Sequence, residues 1–160
     1  MTNLKRVKVL FLLCILLLLC TSCTTSPDFY TDDIKIASEQ CNYASTFQMQ
    51  NIVGNEYRGD MGFEGLATLW SSSAEAYQEV PLSYFLGVTA GQAKLVLVTA
   101  EGDLTTITEV SADQEPEQQG TLSLPLQKGK NRLRLAALPG TRLTIQLQTN
   151  TGTFQMLDGQ

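Results

Sequence analysis

The sequence predicts an all-β domain, an antiparallel β-sandwich, over residues 42–160. Runs in which apolar and polar residues alternate recur through this region, and such runs are typical of strands that bury one face. Segments that contain glycine or acidic residues separate the runs at the spacing expected of a sandwich or barrel. These features predict about seven to nine strands between residues 44 and 157, with little helix.

The first strands follow from alternation, with glycine-containing turns between them. Strands are predicted around Phe47 and Met49, at 63–71 and at 80–88, with turns at Gly54-Asn55 and Gly59-Asp60. Pro81 lacks an amide hydrogen and should therefore lie at the start of a strand or on a sheet edge.

The clearest hairpin joins residues 93–98 to residues 104–110. Its connection, Ala100-Glu101-Gly102-Asp103, contains a glycine, which readily adopts the positive φ of a tight turn. Residues 94–98 are nearly continuous in apolar character, so they predict a central strand that is covered on both faces.

The acidic segment 111–120 predicts a loop, and three alternating runs follow it. Each run has one apolar face and predicts a strand, at 122–126, 132–137 and 143–148. The turns expected between them are Lys128-Gly129-Lys130-Asn131 and Pro139-Gly140. The tail from residue 153 adds Phe154 and Met156 to an edge, or it frays.

The N-terminus has the layout of an export signal. Three basic residues precede an apolar run at 9–19, and these 11 residues are fewer than the roughly 20 that a membrane-spanning helix needs. The small residues Thr21-Ser22 then precede Cys23. This stretch resembles the lipobox of bacterial lipoproteins, in which the cysteine thiol is diacylglycerylated and becomes the mature N-terminus. An ordinary cleaved secretion signal is the alternative.

The lipobox resemblance implies a signal peptide at 1–22 and lipidation at Cys23, which would anchor the protein on the extracytoplasmic face of the cell membrane. Residues 23–41 are predicted to hold the lipid and to act as a tether, because they are mostly polar. If cleavage precedes Cys23, 138 residues remain, enough for one domain.

The charge balance argues against nucleic acid as a partner. All 16 acidic residues but only eight of the 11 basic residues follow the predicted cleavage site, so that part carries a net charge of −8. Nucleic-acid binding requires a basic footprint instead.

The chain contains no histidine, which excludes Ser-His-Asp and Cys-His catalysis and a zinc site built from histidine and cysteine. It has no phosphate-binding or dinucleotide-binding motif, so no cofactor is predicted. Without a histidine to activate it, Cys41 is expected to be a semi-buried thiol or a thiol of the tether region instead of a nucleophile. Asp113, Glu115 and Glu117 alternate as calcium ligands can, but a solvated loop is the favoured interpretation, and no metal site is predicted.

Four residues are candidates for a ligand surface: Tyr57, Tyr77, Arg132 and Arg134. Tyrosines suit half-wet binding sites because their rings carry a polar hydroxyl. Trp70 and Tyr84 are expected in the core instead. The two arginines alternate on the polar face of one predicted strand and form a basic stripe, whose alternative role is to protect a sheet edge.

The segment Leu124-Pro125-Leu126-Gln127-Lys128-Gly129-Lys130-Asn131-Arg132-Leu133-Arg134-Leu135, with the strand 93–98 and its turn, resembles small uncharacterised Gram-positive lipoproteins with a jelly-roll sandwich. The general form is also similar to galactose-binding-like modules. The resemblance covers residues 63–147 and implies a fold, not a ligand.

These observations predict a membrane-anchored surface lipoprotein whose non-catalytic sandwich binds an unknown ligand, such as a glycan, or a protein partner. One alternative is a carboxylate-dependent glycan hydrolase, which needs only two acids and for which Glu64, Glu75 and Glu79 are available. Another is a passive structural or spacer lipoprotein.

Overall fold

The structure, a computed structural model, describes residues 29–158, apart from the side chains of residues 47 and 48. This part of the chain forms one short helix and eight strands: α1 (Asp33–Ala37), β1 (Asn42–Val53), β2 (Glu56–Ala74), β3 (Gln78–Ala90), β4 (Gln92–Val98), β5 (Leu104–Ser111), β6 (Glu117–Leu126), β7 (Gly129–Thr149) and β8 (Thr153–Phe154). The predicted signal peptide and Cys23 lie outside it. Among residues 29–158, no helix is long and apolar enough to cross a membrane.

All strand pairs are antiparallel, which confirms the predicted fold class. The strands form one sheet that folds on itself into two layers, because β2 and β7 contribute one half to each layer. The upper layer has the order β5-β4-β7-β2, with β8 beside β2, and uses residues 129–137 of β7. The lower layer has the order β6-β3-β7-β2-β1 and uses residues 141–149 of β7.

The core lies between the two layers and is built from alternate residues of each strand. In the lower layer, Tyr57, Leu86 and Ile145 point inward and join a cluster that also contains Trp70 and Leu95 of the upper layer. Because successive side chains of a strand point to opposite faces, the residues between them form the outer face of the layer. The apolar alternation therefore separates a core from a polar surface.

The chain passes from one layer to the other at a corner in β7. The register jumps from Gly65↔Ala137 to Phe63↔Thr141, so residues 138–140 oppose a single residue of β2. Extra residues of this kind bend a strand and increase its twist. Gly65 has a φ of 107°, and a Cβ atom there would overlap with the carbonyl oxygen of Asn42 in β1.

The structure shows that two predicted turns are wrong. Pro139-Gly140 bends one continuous strand, β7, instead of separating two strands. Gly59-Asp60 lies inside β2, opposite residues 144 and 145. Gly59 serves packing, because a Cβ atom there would overlap with the side chain of Met61. Both pairs have the composition of turns, but cross-strand pairing decides their conformation.

Other predicted connections agree with the structure. Residues 54–55 join β1 to β2, and the predicted hairpin is formed by β4 and β5. The predicted loop at 111–120 is shorter than expected, because β6 already begins at Glu117. The prediction that 94–98 is a central strand is confirmed, since β4 lies between β5 and β7.

Residues 29–41, which we call the strap, cover the outer face of the upper layer. Tyr30 and Ile36 of the strap are buried against Val96 and Val98 of β4. The Tyr30 hydroxyl donates a hydrogen bond of 2.8 Å to Glu109. This part of the predicted tether therefore packs on the sandwich, because its few apolar side chains meet an apolar patch of the sheet.

The close approach at Gly65 predicts a measurable loss of stability. Gly65→Ala should lower the free energy of unfolding by about 2–3 kcal/mol, because it adds both backbone strain and overlap with β1. Gly102→Ala is the matched control: Gly102 has a φ of 90°, but nothing lies within 4 Å of the point that its Cβ atom would occupy, so only the strain applies. Urea unfolding measures both. Equal losses of stability in the two variants would show that the close approach of Gly65 to β1 does not contribute to the effect.

Candidate functional site

The outer face of the lower layer presents an ordered array of polar side chains. We call it the amide face, because several of its side chains are amides. Its members are exposed or half-buried: Met49, Asn51, Glu56, Arg58, Asp60, Glu79, Ser83, Phe85, Glu117, Gln119, Thr121, Arg142, Thr144, Gln146 and Gln148. They occupy the positions between the core residues of the same strands.

The register aligns one residue from each of the five strands in a single row. Asn51 faces Arg58, Arg58 faces Gln146, Gln146 faces Phe85, and Phe85 faces Gln119. Neighbouring strands lie about 4.8 Å apart, so the row extends over roughly 19 Å. It presents three amides, one guanidinium group and one aromatic ring.

The aromatic ring of the row, that of Phe85, extends towards Gly87. An ideal Cβ atom on Gly87 would come within 3.1 Å of Cζ and 3.2 Å of Cε1 of Phe85. Because Gly87 has no side chain, the Phe85 ring extends over it along the strand and remains half-buried. Neither Phe85 nor Gly87 is among the candidate residues selected from the sequence. The available signal was an aromatic residue on a polar face, followed two residues later by glycine.

Two hollows in the amide face meet at Gln146. The first, of about 470 Å³, is lined by residues of β1, β2 and β7 that include Asn51, Arg58 and Gln146. The second, of about 180 Å³, is lined by residues of β2, β7, β3 and β6 that include Gln146, Phe85 and Gln119. Together they touch all five strands of the lower layer.

Arg58 forms an ion pair with a neighbouring residue of its own strand. Its Nε atom lies 2.6 Å from Oε1 of Glu56, which is two residues away on the same face of β2. This hydrogen bond raises the pKa of Arg58. The other charged members of the amide face are Asp60, Glu79, Glu117 and Arg142. Arg142 lines a neighbouring hollow together with Asp60 and Thr144.

Tyr57 does not have the surface position predicted for it. It is fully buried, and its hydroxyl donates a 2.9 Å hydrogen bond to Oε1 of Gln50. Burial raises its pKa. Tyr57 points inward because its neighbours Glu56 and Arg58 take the outer positions of β2. Tyr77 is exposed as predicted, and its hydroxyl donates to Glu79, but it lies on the connection before β3, away from the row.

Arg132 and Arg134 do not form a surface stripe, because the strap covers them. Arg134 is fully buried and Arg132 is 8% exposed. Arg132 donates to the carbonyl oxygens of Ala37 (2.7 Å) and Ser38 (3.1 Å). Arg134 donates to those of Ile36 (3.2 Å), Ser38 and Gln40 (2.6 Å). Burial, and to a lesser extent Arg132, lowers the pKa of Arg134.

These arginines satisfy the end of α1. The last carbonyl groups of a helix have no partner within the helix, and basic side chains commonly bond them. The two guanidinium groups therefore fasten the strap to β7 through its backbone. Cys41, the last residue of the strap, is a free and exposed thiol.

Glu64 and Glu79 do not form the acid pair that a glycosidase needs. Ser83 of β3 and Glu56 of β2 both pair with Gln148 of β7, so these two residues lie at the same level of the sheet. Glu79 lies four residues from this level along β3. Glu64 lies eight residues from it along β2, in the opposite direction. Glycosidase carboxyl groups are only about 5–10 Å apart, a few residue steps. Glu75 and Glu79 are exposed near the connection that contains Tyr77.

The acidic residues of the described part of the chain do not assemble a metal centre. No group of three or more histidine, cysteine, aspartate or glutamate side chains comes together there. Asp113 and Glu115 lie on the turn between β5 and β6, while Glu117 lies in β6.

No protein-family model matches the chain, and no curated protein matches it. Solved structures that it resembles are carbohydrate-binding modules. A family 29 module is 14% identical, with 69% of this chain and 79% of that chain covered and a TM-score of 0.39. The module CBM6cm-2 from Cellvibrio mixtus lichenase 5A, in complex with cellotriose, is 13% identical, with 71% and 92% covered and a TM-score of 0.36. Likenesses at this level do not assign a ligand to this chain.

The arginine contacts predict that the strap is an integral part of the domain. Arg134→Ala should lower the free energy of unfolding by about 3 kcal/mol or more, because several carbonyl groups lose their donors. Arg142→Ala, at an exposed position of the same strand, should change it by less than about 0.5 kcal/mol. Urea unfolding followed by Trp70 fluorescence measures both. If the two losses are equally small, apolar contacts alone hold the strap.

Proposed function

We propose that this chain is a lipid-anchored, non-catalytic protein of the cell surface that binds carbohydrate on its amide face. The observation that carries the proposal is the row of amides around Phe85, whose half-buried ring reaches over Gly87. The ring offers an apolar surface to the C–H face of a sugar ring. Amide side chains both donate and accept hydrogen bonds, which matches the dual character of sugar hydroxyl groups.

The distribution of acids on the amide face favours binding over hydrolysis. Asp60 faces Thr144, Thr144 faces Gly87, and Gly87 faces Glu117, so the two acids are three strand spacings apart. That backbone separation is about 14 Å, beyond the roughly 5–10 Å of a glycosidase pair. Glu56 is engaged with Arg58. The hydrolase alternative therefore has no pair of acids on this face to support it.

The anchor is the second part of the proposal, and the sequence supports it. A basic segment and an 11-residue apolar run precede Thr21-Ser22-Cys23. Lipidation of Cys23 supplies two acyl chains, and stable anchoring takes two such signals where one is marginal. The protein is therefore proposed to reside on the extracytoplasmic face of the cell membrane.

The carbohydrate proposal is tested with soluble cell-wall glycans and with cello-, manno- and chito-oligosaccharides. Phe85→Ala should weaken binding at least tenfold, because a sugar ring loses its platform, and Gly87→Ala should weaken it by lifting the ring. Tyr77→Ala, which removes an exposed aromatic residue away from the row, should leave affinity unchanged. Calorimetry measures affinity, and reducing-end assays measure turnover. Absence of binding would favour a spacer, and turnover abolished by a Glu→Gln change would favour a hydrolase.

The anchor proposal is tested by fractionation of a bacterial host that expresses the full chain. The wild-type protein should appear in the membrane fraction and be extracted by detergent. Cys23→Ala should lose the acyl chains and leave the detergent-extracted fraction, whereas Cys41→Ala, which removes the other cysteine outside the predicted signal, should behave as the wild type. Identical soluble partitioning of wild type and Cys23→Ala would contradict lipidation.

A further inference from the structure

The two hollows of the amide face lie side by side across the strands, and we call them together the trough. They share the lining residue Gln146, on the central strand β7. From there the first hollow reaches Asn51 on one edge strand, β1, and the second reaches Gln119 on the other, β6. The long direction of the trough therefore coincides with the row of aligned residues.

We propose that this trough takes an extended, unbranched and uncharged glycan chain that lies across the strands, with one sugar unit over each strand. This inference rests on the proposed function and adds the class of ligand and its orientation. Adjacent strands are about 4.8 Å apart, which is close to the length of one pyranose unit in an extended chain. Each step along the glycan then meets the next residue of the row.

The orientation along the strands fits less well. Residues on one face of a single strand, such as Thr144, Gln146 and Gln148 of β7, repeat about every 6.8 Å, which is longer than a pyranose unit. A chain in that direction would also follow only one of the five strands and would leave the ends of the trough empty. The spacing of the hydrogen-bonding groups thus matches the length of a pyranose unit only in the direction across the strands.

The charges of the trough favour a neutral ligand. Its one guanidinium group, Arg58, is held by Glu56 at 2.6 Å. Asp60 lines the first hollow beside Arg58, and no basic residue lines the second hollow. An anionic glycan in the two hollows would bring its carboxylates near Asp60 and Glu56, and like charges close together are repulsive. The exposed cation of the amide face, Arg142, lines neither hollow. Sugar hydroxyl groups, in contrast, find the amides of Asn51, Gln146 and Gln119.

The test uses the full chain, purified in a detergent without a sugar headgroup, and calorimetry with neutral cello- and manno-oligosaccharides of two to six units. Affinity should rise with each unit up to about five and then level off, because five strands supply the contacts. Oligogalacturonates of equal length should bind at least tenfold more weakly. An affinity that stops rising at two or three units, or a preference for the galacturonates, would overturn the inference.

Two variants locate the ends of the chain. Asn51 lies three strand spacings from Phe85. Asn51→Ala should therefore weaken hexasaccharide binding about five- to tenfold, which corresponds to one lost hydrogen bond. It should leave the binding of a disaccharide unchanged. Thr105→Ala, exposed on β5 of the upper layer, is the matched control and should change neither. If glycans bind but Asn51→Ala affects short and long oligosaccharides equally, the orientation is wrong and the proposed function stands. If no glycan binds, both fail.

Discussion

The rest of the structure depends on the pairing of β2 with β7. These strands are 19 and 21 residues long and stay paired from Glu56↔Gln148 to Ala74↔Gly129. Because both pass through the corner beside residues 138–140, a single sheet becomes two layers that share one apolar core. The other strands attach to this pair directly or through one neighbour, so the pair determines which faces are buried and which are open to ligands.

The upper layer buries two cations, and the strap makes this possible. Burial of a charge is costly unless its hydrogen bonds are replaced. Arg132 and Arg134 obtain these bonds from carbonyl groups at the end of α1, which would otherwise lack partners inside the protein. One contact thus supplies donors to the helix end and acceptors to the terminal nitrogens of both arginines, whereas the Nε atoms of Arg132 and Arg134 are buried without a partner. It also makes the strap a structural part of the sandwich and leaves the lower layer as the open one.

The amide face shows how little distinguishes a binding surface from a solvated sheet. Most of its side chains are the polar partners that any alternating strand would carry. Phe85 and Gly87 are the exception, because a half-buried ring on the outer face that reaches over a glycine is not part of the core. The strand register places Gln146 of β7 and Gln119 of β6 on either side of this ring.

The sequence by itself determined the all-β class, the hairpin of β4 and β5, and the burial of both faces of β4, because these follow from local alternation and turn composition. Only the tertiary structure decided the continuity of β7 through Pro139-Gly140, the inward direction of Tyr57, and the burial of Arg134 under residues almost a hundred positions upstream. It likewise selected Phe85. The physical reason is that register and packing between distant segments decide which face of a strand is covered, and local patterns contain no information about a covering segment.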